Sequence, residues 1–291
     1  MLRPTEDPPT RELWDMTALP GNEIFTLAIA LILAGGLTGF LAGLFGVGGG
    51  AIIVPILYQA FIVVGVPNQL RMPLTVGTSL AVIIPTAITS YLAHRKKGAV
   101  DQLALRLWAW PCVIGVVAGS ALAAFAPAAL FQIVFASVSA AIGIGLLIGR
   151  QRWRVTDDLP GPLPMRIIGF VIGILSALMG ISGGMLTNMT MLMLGRSIHQ
   201  AVATSAGLGV FIAIPGAIGY ALAGWAQTSA LPPFSLGYVS VPGAILLSAL
   251  AMWIAPFGAR LAHAIPRRRL ELAFAAYLLT MSTRFVVALV W

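Results

Sequence analysis

Two glycine-rich segments hold the residues whose types and spacing are best suited to binding a small anion. Residues 46–50 (GVGGG) and 180–184 (GISGG) each end one apolar run and open the next. Glycine adopts backbone angles that other residues avoid, and it lets a ligand approach the backbone closely. A helix that begins after each segment would direct free N–H groups and the positive end of its dipole at the break. One helix end contributes only about 0.3 to 2 kcal/mol, so affinity would be modest, as release of a cargo requires.

Two pairs of adjacent hydroxyl residues follow these segments. Thr78-Ser79 and Thr204-Ser205 stand at equivalent places after the first and the second glycine segment. Hydroxyls inside apolar helices can donate to an oxyanion without adding charge. The alternative is that each hydroxyl bonds a carbonyl one turn earlier in its own helix, which is common and costs little.

An amide completes the predicted binding site. Asn188 lies shortly after the second glycine segment, where it either lines the site or bonds a neighbouring helix. Gly35, Gly39 and Gly43 have the four-residue spacing of a helix-packing seam, and we expect them to pack rather than to bind. The predicted substrate-binding residues are Gly48, Gly49, Gly50, Thr78, Ser79, Ser182, Gly183, Gly184, Asn188, Thr204 and Ser205.

The sequence predicts neither a metal site, nor a cofactor, nor a catalytic residue. The histidines fall in or beside polar connections, without ligand spacing to a cysteine or carboxylate: His94, His199 and His263. Residues 180–183 match the G-x-S-G pattern of rhomboid-type intramembrane serine proteases, which require a histidine base within hydrogen-bond reach. The equivalent of Ser182 in the first half is Gly48, so the shape of the backbone is what repeats. The protease is therefore the weakest interpretation.

Acidic residues are nearly absent from the apolar runs. They lie in the N-terminal region up to Glu23, or at Asp101, Asp157, Asp158 and Glu271, outside the runs or at their margins. A buried carboxylate, the usual carrier of a coupled proton or sodium ion, is therefore not evident. This pattern favours flux of the substrate down its gradient. It also permits ion coupling through backbone carbonyls or through a protonated form of the substrate.

The composition excludes a water-soluble fold. Of the 291 residues, 59% are hydrophobic and 9% are charged, against about 25% charged in an average soluble domain, and the mean hydropathy is +0.96. At about 20 apolar residues for each spanning helix, this length accommodates about eight to ten spans. The net charge of +8 would indicate nucleic acid in a soluble protein, but here the basic residues stand between apolar runs. The expected partner is the lipid bilayer and not nucleic acid.

Ten apolar runs in two series of five predict an all-α polytopic membrane protein. The second run (51–64) and the seventh (185–194) are too short for an upright span, which predicts broken or re-entrant helices. The polar segment after the fifth run is rich in arginine and proline and forms a linker. The expected parts are an N-terminal tail over 1–22, a first membrane repeat over 23–149, a cytoplasmic linker over 150–166 and a second membrane repeat over 167–291.

The two halves repeat one pattern of glycines. Five glycines of the first half recur in the same order in the second: Gly35, Gly39, Gly46, Gly49 and Gly50 match Gly169, Gly173, Gly180, Gly183 and Gly184. Five crossings in each half is an odd number, so the halves are predicted to be inverted repeats if every run crosses.

Basic residues mark the predicted cytoplasmic face. They cluster after the third, fifth and ninth runs, whereas the connections after the fourth and eighth runs carry none. If all ten runs cross, the positive-inside rule puts these clusters in the cytoplasm and both termini outside. Arg284 is the basic residue deepest in an apolar run, and we expect its side chain to reach toward the membrane interface.

These features resemble the sulfite exporter TauE/SafE family. The resemblance rests on GLTGFLAGLFGVGGGAIIVPIL from Gly36, VGTSLAVIIPTAITSYLAHRKKGAVD from Val76, and their weaker echoes GFVIGILSALMGISGGML from Gly169 and AVATSAGLGVFIAIPGAIGYAL from Ala201. It covers nearly the whole chain after the N-terminal tail. It implies a bacterial inner-membrane permease for sulfur-containing anions such as sulfite, sulfonates or thiosulfate, built from two related halves.

The family's glycine segments correspond to residues 46–50 and 180–184, and its threonine-serine pairs to those described above. The chain departs from the family pattern at Ser182 and Ala203, where the family has glycine. We expect a secondary transporter or exporter of a small sulfur-containing anion that works by alternating access, with the cargo near the midplane. A channel-like anion permease or a metal-related permease is the alternative, and the direction of transport, the coupling ion and the oligomeric state stay open.

Overall fold

The computed structural model describes residues 21–45, 50–148 and 160–290, which form ten α-helices, a 3₁₀ helix and a short β-hairpin. The helices are α1 (Gly21–Phe45), α2 (Gly50–Val63), α3 (Asn68–Lys96), α4 (Gln102–Ala123), α5 (Ala128–Ile148), α6 (Pro162–Met179), α7 (Gly184–Met193), α8 (Ile198–Ala223), α9 (Val241–Ala264) and α10 (Arg267–Val290). The connection from α8 to α9 holds the 3₁₀ helix (Trp225–Ala230) and the strands β1 (Ser235–Leu236) and β2 (Val239–Ser240). Most of the predicted tail and linker lies outside the described residues.

In the described part of the chain, seven helices are long and apolar enough to span a membrane: α3, α4, α5, α6, α8, α9 and α10. The protein is an all-α, multi-pass membrane protein, which confirms the predicted fold class. The predicted short runs form short helices, α2 with 14 residues and α7 with 10. At 1.5 Å for each residue these measure about 21 and 15 Å, against about 30 Å for the hydrocarbon core.

Short polar side chains fix where three helices begin. The Asp101 carboxylate accepts from the Ala104 N–H at 3.1 Å at the start of α4, and Ser240 Oγ accepts from the Gly243 N–H at 3.3 Å at the start of α9. Ser197 forms a capping box at the start of α8. Each bond satisfies an N–H group that the first turn of a helix leaves without a partner. These caps set the level at which α4, α8 and α9 enter the bundle.

A seam of glycines joins α1 to α9 at the level of the backbone. A Cβ atom placed on Gly39 would lie 2.6 Å from the Cα atom of Ala251, and one placed on Gly43 would overlap the backbone of Ala255. Gly35 approaches α9 about one turn earlier. Residues later in α1 contact residues later in α9, so the two helices run in the same direction. The prediction that these three glycines serve helix packing is confirmed.

The second half repeats this seam between α6 and α4. Gly169 of α6 lies against the backbone of Trp108, and Gly173 lies against that of Cys112. Gly169 and Gly173 are the sequence counterparts of two of the α1 glycines. Residues later in α6 again contact residues later in α4, so these two helices also run in the same direction. Each seam therefore joins a helix of one half to a helix of the other.

Helices α3 and α8, which hold the threonine-serine pairs, run in opposite directions. Gly77 in the first part of α3 lies against Tyr220 near the end of α8, whereas Gly207 in the first part of α8 lies against Tyr91 near the end of α3. Helices α5 and α10 are also antiparallel. Arg268 at the start of α10 donates to carbonyls in the last turn of α5 at 2.8 and 2.7 Å.

One end of the bundle, here named the basic end, carries most of the cations. Helices α3, α5 and α9 end there, and α4, α6, α8 and α10 begin there. The described lysines and arginines at this end are Arg95, Lys96, Lys97, Arg106, Arg166, Arg196, Arg260, Arg267, Arg268 and Arg269. The opposite end is named the far end.

The β-hairpin covers the far end of α3 and α8. The Tyr238 N–H donates to the Tyr220 carbonyl at 3.2 Å, and Gly77 lies against the Tyr238 carbonyl. Gly237 has a φ of +50°, and a Cβ atom there would overlap the backbone of Ala221. Strands of two residues are too short to leave a periodic pattern, so the sequence does not predict this hairpin.

Replacing Gly39 with leucine is expected to destabilise the folded protein, because its Cβ atom would meet the backbone of Ala251. Overpacking a well-packed site costs about 1 to 3 kcal/mol. The measurement is the Tm of the purified protein in a neutral detergent. Gly36→Leu is the matched control, since the nearest atom to a Cβ there is Ile254 Cδ1 at 3.4 Å. Equal Tm values for the two variants would contradict the seam.

Candidate substrate site

The second glycine segment is an irregular turn between α6 and α7. Gly180 ends α6 with a φ of +68°, and Gly183 precedes α7 with a φ of +67°, both in the left-handed region that favours glycine. The Ile181 N–H donates to the Ser176 carbonyl at 3.1 Å, which closes the end of α6. The turn is buried in protein, as irregular backbone within a membrane must be.

Helix α7 begins without a side-chain cap. Gly183 occupies the N-cap position and has no side chain that could accept a bond from the first turn. The first N–H groups of a helix have no partner within the helix, and they carry the positive end of its dipole. The start of α7 therefore offers N–H groups to a negatively charged group.

Gly50, the described end of the first glycine segment, lies against the second segment inside the bundle. A Cβ atom on Gly50, the first residue of α2, would lie 2.6 Å from the Cα atom of Ile181 in the second segment. Residues 46–49 are outside the described residues, so the structure does not place Gly48 and Gly49. Their part in the site stays a prediction.

Ser79 of α3 bonds the second segment directly. Its Oγ donates to the Gly180 carbonyl at 2.7 Å, and the bond is buried. A Cβ atom on Gly180 would lie 3.0 Å from the Cα atom of Val76, one turn earlier on the same helix. A helix of the first half thereby supports the irregular turn between α6 and α7, here named the break.

The two threonines bond the backbone at the start of other helices. Thr78 Oγ1 accepts from the Ser240 N–H at 2.9 Å, and Thr204 Oγ1 accepts from the Asp101 N–H at 3.0 Å. Ser240 and Asp101 are the N-cap residues of α9 and α4, which occupy the same place in the two halves. Each threonine holds the start of a helix in the other half. As an acceptor, each hydroxyl still has a proton that it can donate.

Ser205 bonds within its own helix, which is the alternative given above for these hydroxyls. Its Oγ donates to the Val202 carbonyl at 2.9 Å. The structure thus separates the two threonines from the break. The predicted residues at or in contact with the break are Gly50, Ser79, Ser182, Gly183 and Gly184. Their binding to a cargo stays a prediction.

Three buried polar atoms beside the second segment have no hydrogen-bond partner among the described residues: Ser176 Oγ, Thr187 Oγ1 and Asn188 Oδ1. Ser176 Oγ lies 3.0 Å from where a Cβ on Gly183 would stand. An unpaired buried polar group costs about 1 to 3 kcal/mol, so each of these atoms suits a polar partner. Asn188 is among the predicted residues, whereas Ser176 and Thr187 are not. Their positions one turn on either side of the glycines are the signal that could have found them.

Ser182 has no nearby base among the histidines whose side chains the structure describes, His94 and His199. It is 7% exposed, and it packs against Gly209, where a Cβ would lie 3.4 Å from its own Cβ. His199 lies on the same helix ten residues before Gly209, about 15 Å away along the axis. His94 is in the last turn of α3, also at the basic end. This geometry does not support the intramembrane protease.

The carboxylates whose side chains the structure describes are both at the basic end. Asp101 Oδ2 lies 3.3 Å from Nε of Arg196, and Glu271 Oε2 lies 3.6 Å from Nη1 of Arg268. Neither stands beside the glycine segments. The described part of the site is therefore polar and uncharged, built from backbone N–H groups, hydroxyls and one amide.

Comparison with known proteins indicates a membrane transporter. The family model described as sulfite exporter TauE/SafE matches residues 31–285. A probable membrane transporter protein of Haemophilus influenzae is 31% identical over 259 residues, which are 89% of this chain and 98% of that protein. A probable membrane transporter protein of Methanocaldococcus jannaschii is 27% identical over 263 residues, which are 88% of this chain and 94% of that protein.

A probable membrane transporter protein of Bacillus subtilis is 27% identical over 231 residues, covering 70% of this chain and 83% of that protein. No solved structure matches the chain. The family match extends over most of the described helices, and these relatives are named as transporters rather than enzymes. The chain therefore belongs to the sulfite exporter TauE/SafE family and is a membrane transporter.

Proposed function

We propose that this transporter moves a small sulfur-containing anion, such as sulfite, an organosulfonate or thiosulfate, across the bacterial inner membrane. The cargo binds where the two glycine segments meet. The observation that carries the proposal is the uncapped start of α7 beside three buried polar atoms without described partners. Helix N–H groups and neutral hydroxyls favour an anion. The family description, which names sulfite, supports the sulfur class.

The lengths of the two short helices support a cargo position near the middle of the membrane. Helix α2 leads from Gly50 to the far end over 14 residues, and α7 leads from Gly184 to the basic end over 10 residues. These distances are about 21 and 15 Å, within a hydrocarbon core of about 30 Å. A site at this depth reaches each face in turn when the surrounding helices move, which is alternating access.

Helix directions support inverted repeats. Helices α1, α3 and α9 run one way, and α4, α6 and α8 run the other way. The pairs at matching places in the two halves, α1 with α6, α3 with α8 and α4 with α9, then point in opposite directions, as do α5 and α10. With the basic end in the cytoplasm by the positive-inside rule, the α1–α2 and α6–α7 pairs enter the membrane from opposite faces.

Purified protein in liposomes is expected to show saturable counterflow of one sulfur compound among sulfite, thiosulfate, sulfoacetate and the zwitterionic sulfonate taurine, with chloride as the reference. Counterflow is expected because a carrier exposes one bound cargo to each face in turn. Flux that neither saturates nor shows counterflow would indicate the channel-like permease instead. Counterflow of none of these compounds, in protein whose Tm shows it to be folded, would contradict the sulfur class.

Ser176→Ala is expected to weaken binding of the transported anion by about ten- to a hundredfold, since a hydrogen bond to a charged group contributes about 1.5 to 3 kcal/mol. Affinity is measured from the rise of Tm with anion concentration. Ser139→Ala is the matched control, because Ser139 Oγ on α5 is equally buried and also lacks a described partner. Equal affinities in the two variants would place Ser176 outside the site.

Thr78→Val is expected to destabilise the protein by about 1 to 3 kcal/mol, because the buried Ser240 N–H loses its acceptor. Thr78→Ser keeps the hydroxyl and is the control, with Tm as the measurement.

The double variant Thr78→Val with Thr204→Val also tests the predicted role of these hydroxyls toward the cargo. Unchanged anion affinity in the folded fraction of that variant would restrict both threonines to structural roles.

A further inference from the structure

A cavity with both polar and apolar lining residues lies at the far end of the bundle, between α2, α3 and α10. Its volume is about 270 Å³, and its lining includes Gln59, Asn68, Arg71 and Arg284 beside the apolar Phe285. We propose that this cavity binds an oxyanion group, carried by a small soluble anion or by a lipid headgroup. The site is separate from the glycine segments and does not depend on the function proposed for them.

Arg71 is held in place by the protein itself. Its Nε and Nη2 donate to the Val66 carbonyl at 3.2 and 2.8 Å, and its Nη1 lies 3.5 Å from Asn68 Oδ1. The guanidinium carbon lies 5.5 Å from the centre of the Tyr58 ring. A guanidinium carries five N–H bonds, so these contacts leave others for a ligand. A planar group fixed in this way is well suited to two-point contact with an oxyanion.

Arg284 is the charged residue of an otherwise uncharged stretch of α10, from Leu272 to Val290. The two carboxylates with described side chains, Asp101 and Glu271, pair at the basic end and not with Arg284. Arg284 is exposed and lies six residues before the end of α10, where an arginine side chain can reach the membrane interface. An anionic group in the cavity would supply the counter-charge that the described residues do not.

Both arginines lie at the end of the bundle opposite to the other described cations. The other described lysines and arginines lie at the basic end, as the positive-inside rule requires of short connections. Arg71 and Arg284 lie at the far end, on helices distant in sequence, and line the same cavity. The convergence of these two exceptions in one cavity is what points to an anionic ligand.

The cavity also extends along α2 toward the glycine segments. Pro55, one of its lining residues, is five residues after Gly50, about 8 Å along the helix. An oxyanion bound here would therefore lie between the break and the far end. A soluble anion at this place would be near the break, whereas a lipid headgroup would occupy the far surface.

The test compares Arg284→Gln with Arg106→Gln in the purified full-length protein. Arg106 is an exposed arginine at the basic end and lies outside the cavity. One arm titrates sulfite, sulfate and inorganic phosphate by calorimetry in a neutral detergent. The other arm counts retained phosphatidylglycerol against phosphatidylcholine by native mass spectrometry. Arg284→Gln is expected to weaken one of these interactions about tenfold, because a charge-assisted contact is lost, and Arg106→Gln is expected to change neither.

The pattern of loss identifies the source of the oxyanion. A loss confined to free anions supports a soluble ligand, and a loss confined to phosphatidylglycerol supports a lipid headgroup. Unchanged binding in both arms for Arg284→Gln, in protein with the Tm of the unchanged chain, would overturn the proposal. Because Arg71 also bonds Val66, Arg71→Lys serves as the second variant. Absent counterflow with intact binding here would contradict only the proposed transport function.

Discussion

Contact between the backbones of helices from different halves is the constraint on which the rest of the structure depends. Burial of apolar side chains gives little net driving force in a bilayer, because lipid tails are as apolar as leucine, so helices associate through close packing. Gly39 on Ala251 and Gly173 on Cys112 provide that packing. These contacts set the depth of α1 and α6, and therefore the depth at which each helix stops and its glycine segment begins.

Polar groups inside the bundle divide into those that hold backbone and those that lack described partners. Ser79, Thr78 and Thr204 each bond a backbone group of the other half. Ser176 and Thr187, which flank the second break, have no described partner. The first group keeps the break in shape without adding charge to the membrane interior. The second group has unused hydrogen-bonding capacity, which is what the proposed binding of an anion at this place requires.

Hydropathy and glycine spacing predicted the fold class, the two short helices and the seam on α1, because these depend on residues close in sequence. The partner of a seam or of a hydroxyl depends on tertiary contacts, which no local pattern specifies. Thr78 and Ser79 are adjacent, yet one bonds the start of α9 and the other the second break. The position of Ser176 one turn before Gly180 can be read from the sequence, but the lack of a partner for its Oγ is a property of the packed bundle.

The exchange of partners between halves has a consequence for how such a chain could arise. A five-helix half inserted alone would expose to lipid the glycine-lined face that packs against the other half, leaving bare backbone without a close neighbour. A half on its own would thus need the other half, in equal number, to cover that face. Joining the two halves in one chain makes that ratio a property of a single gene product.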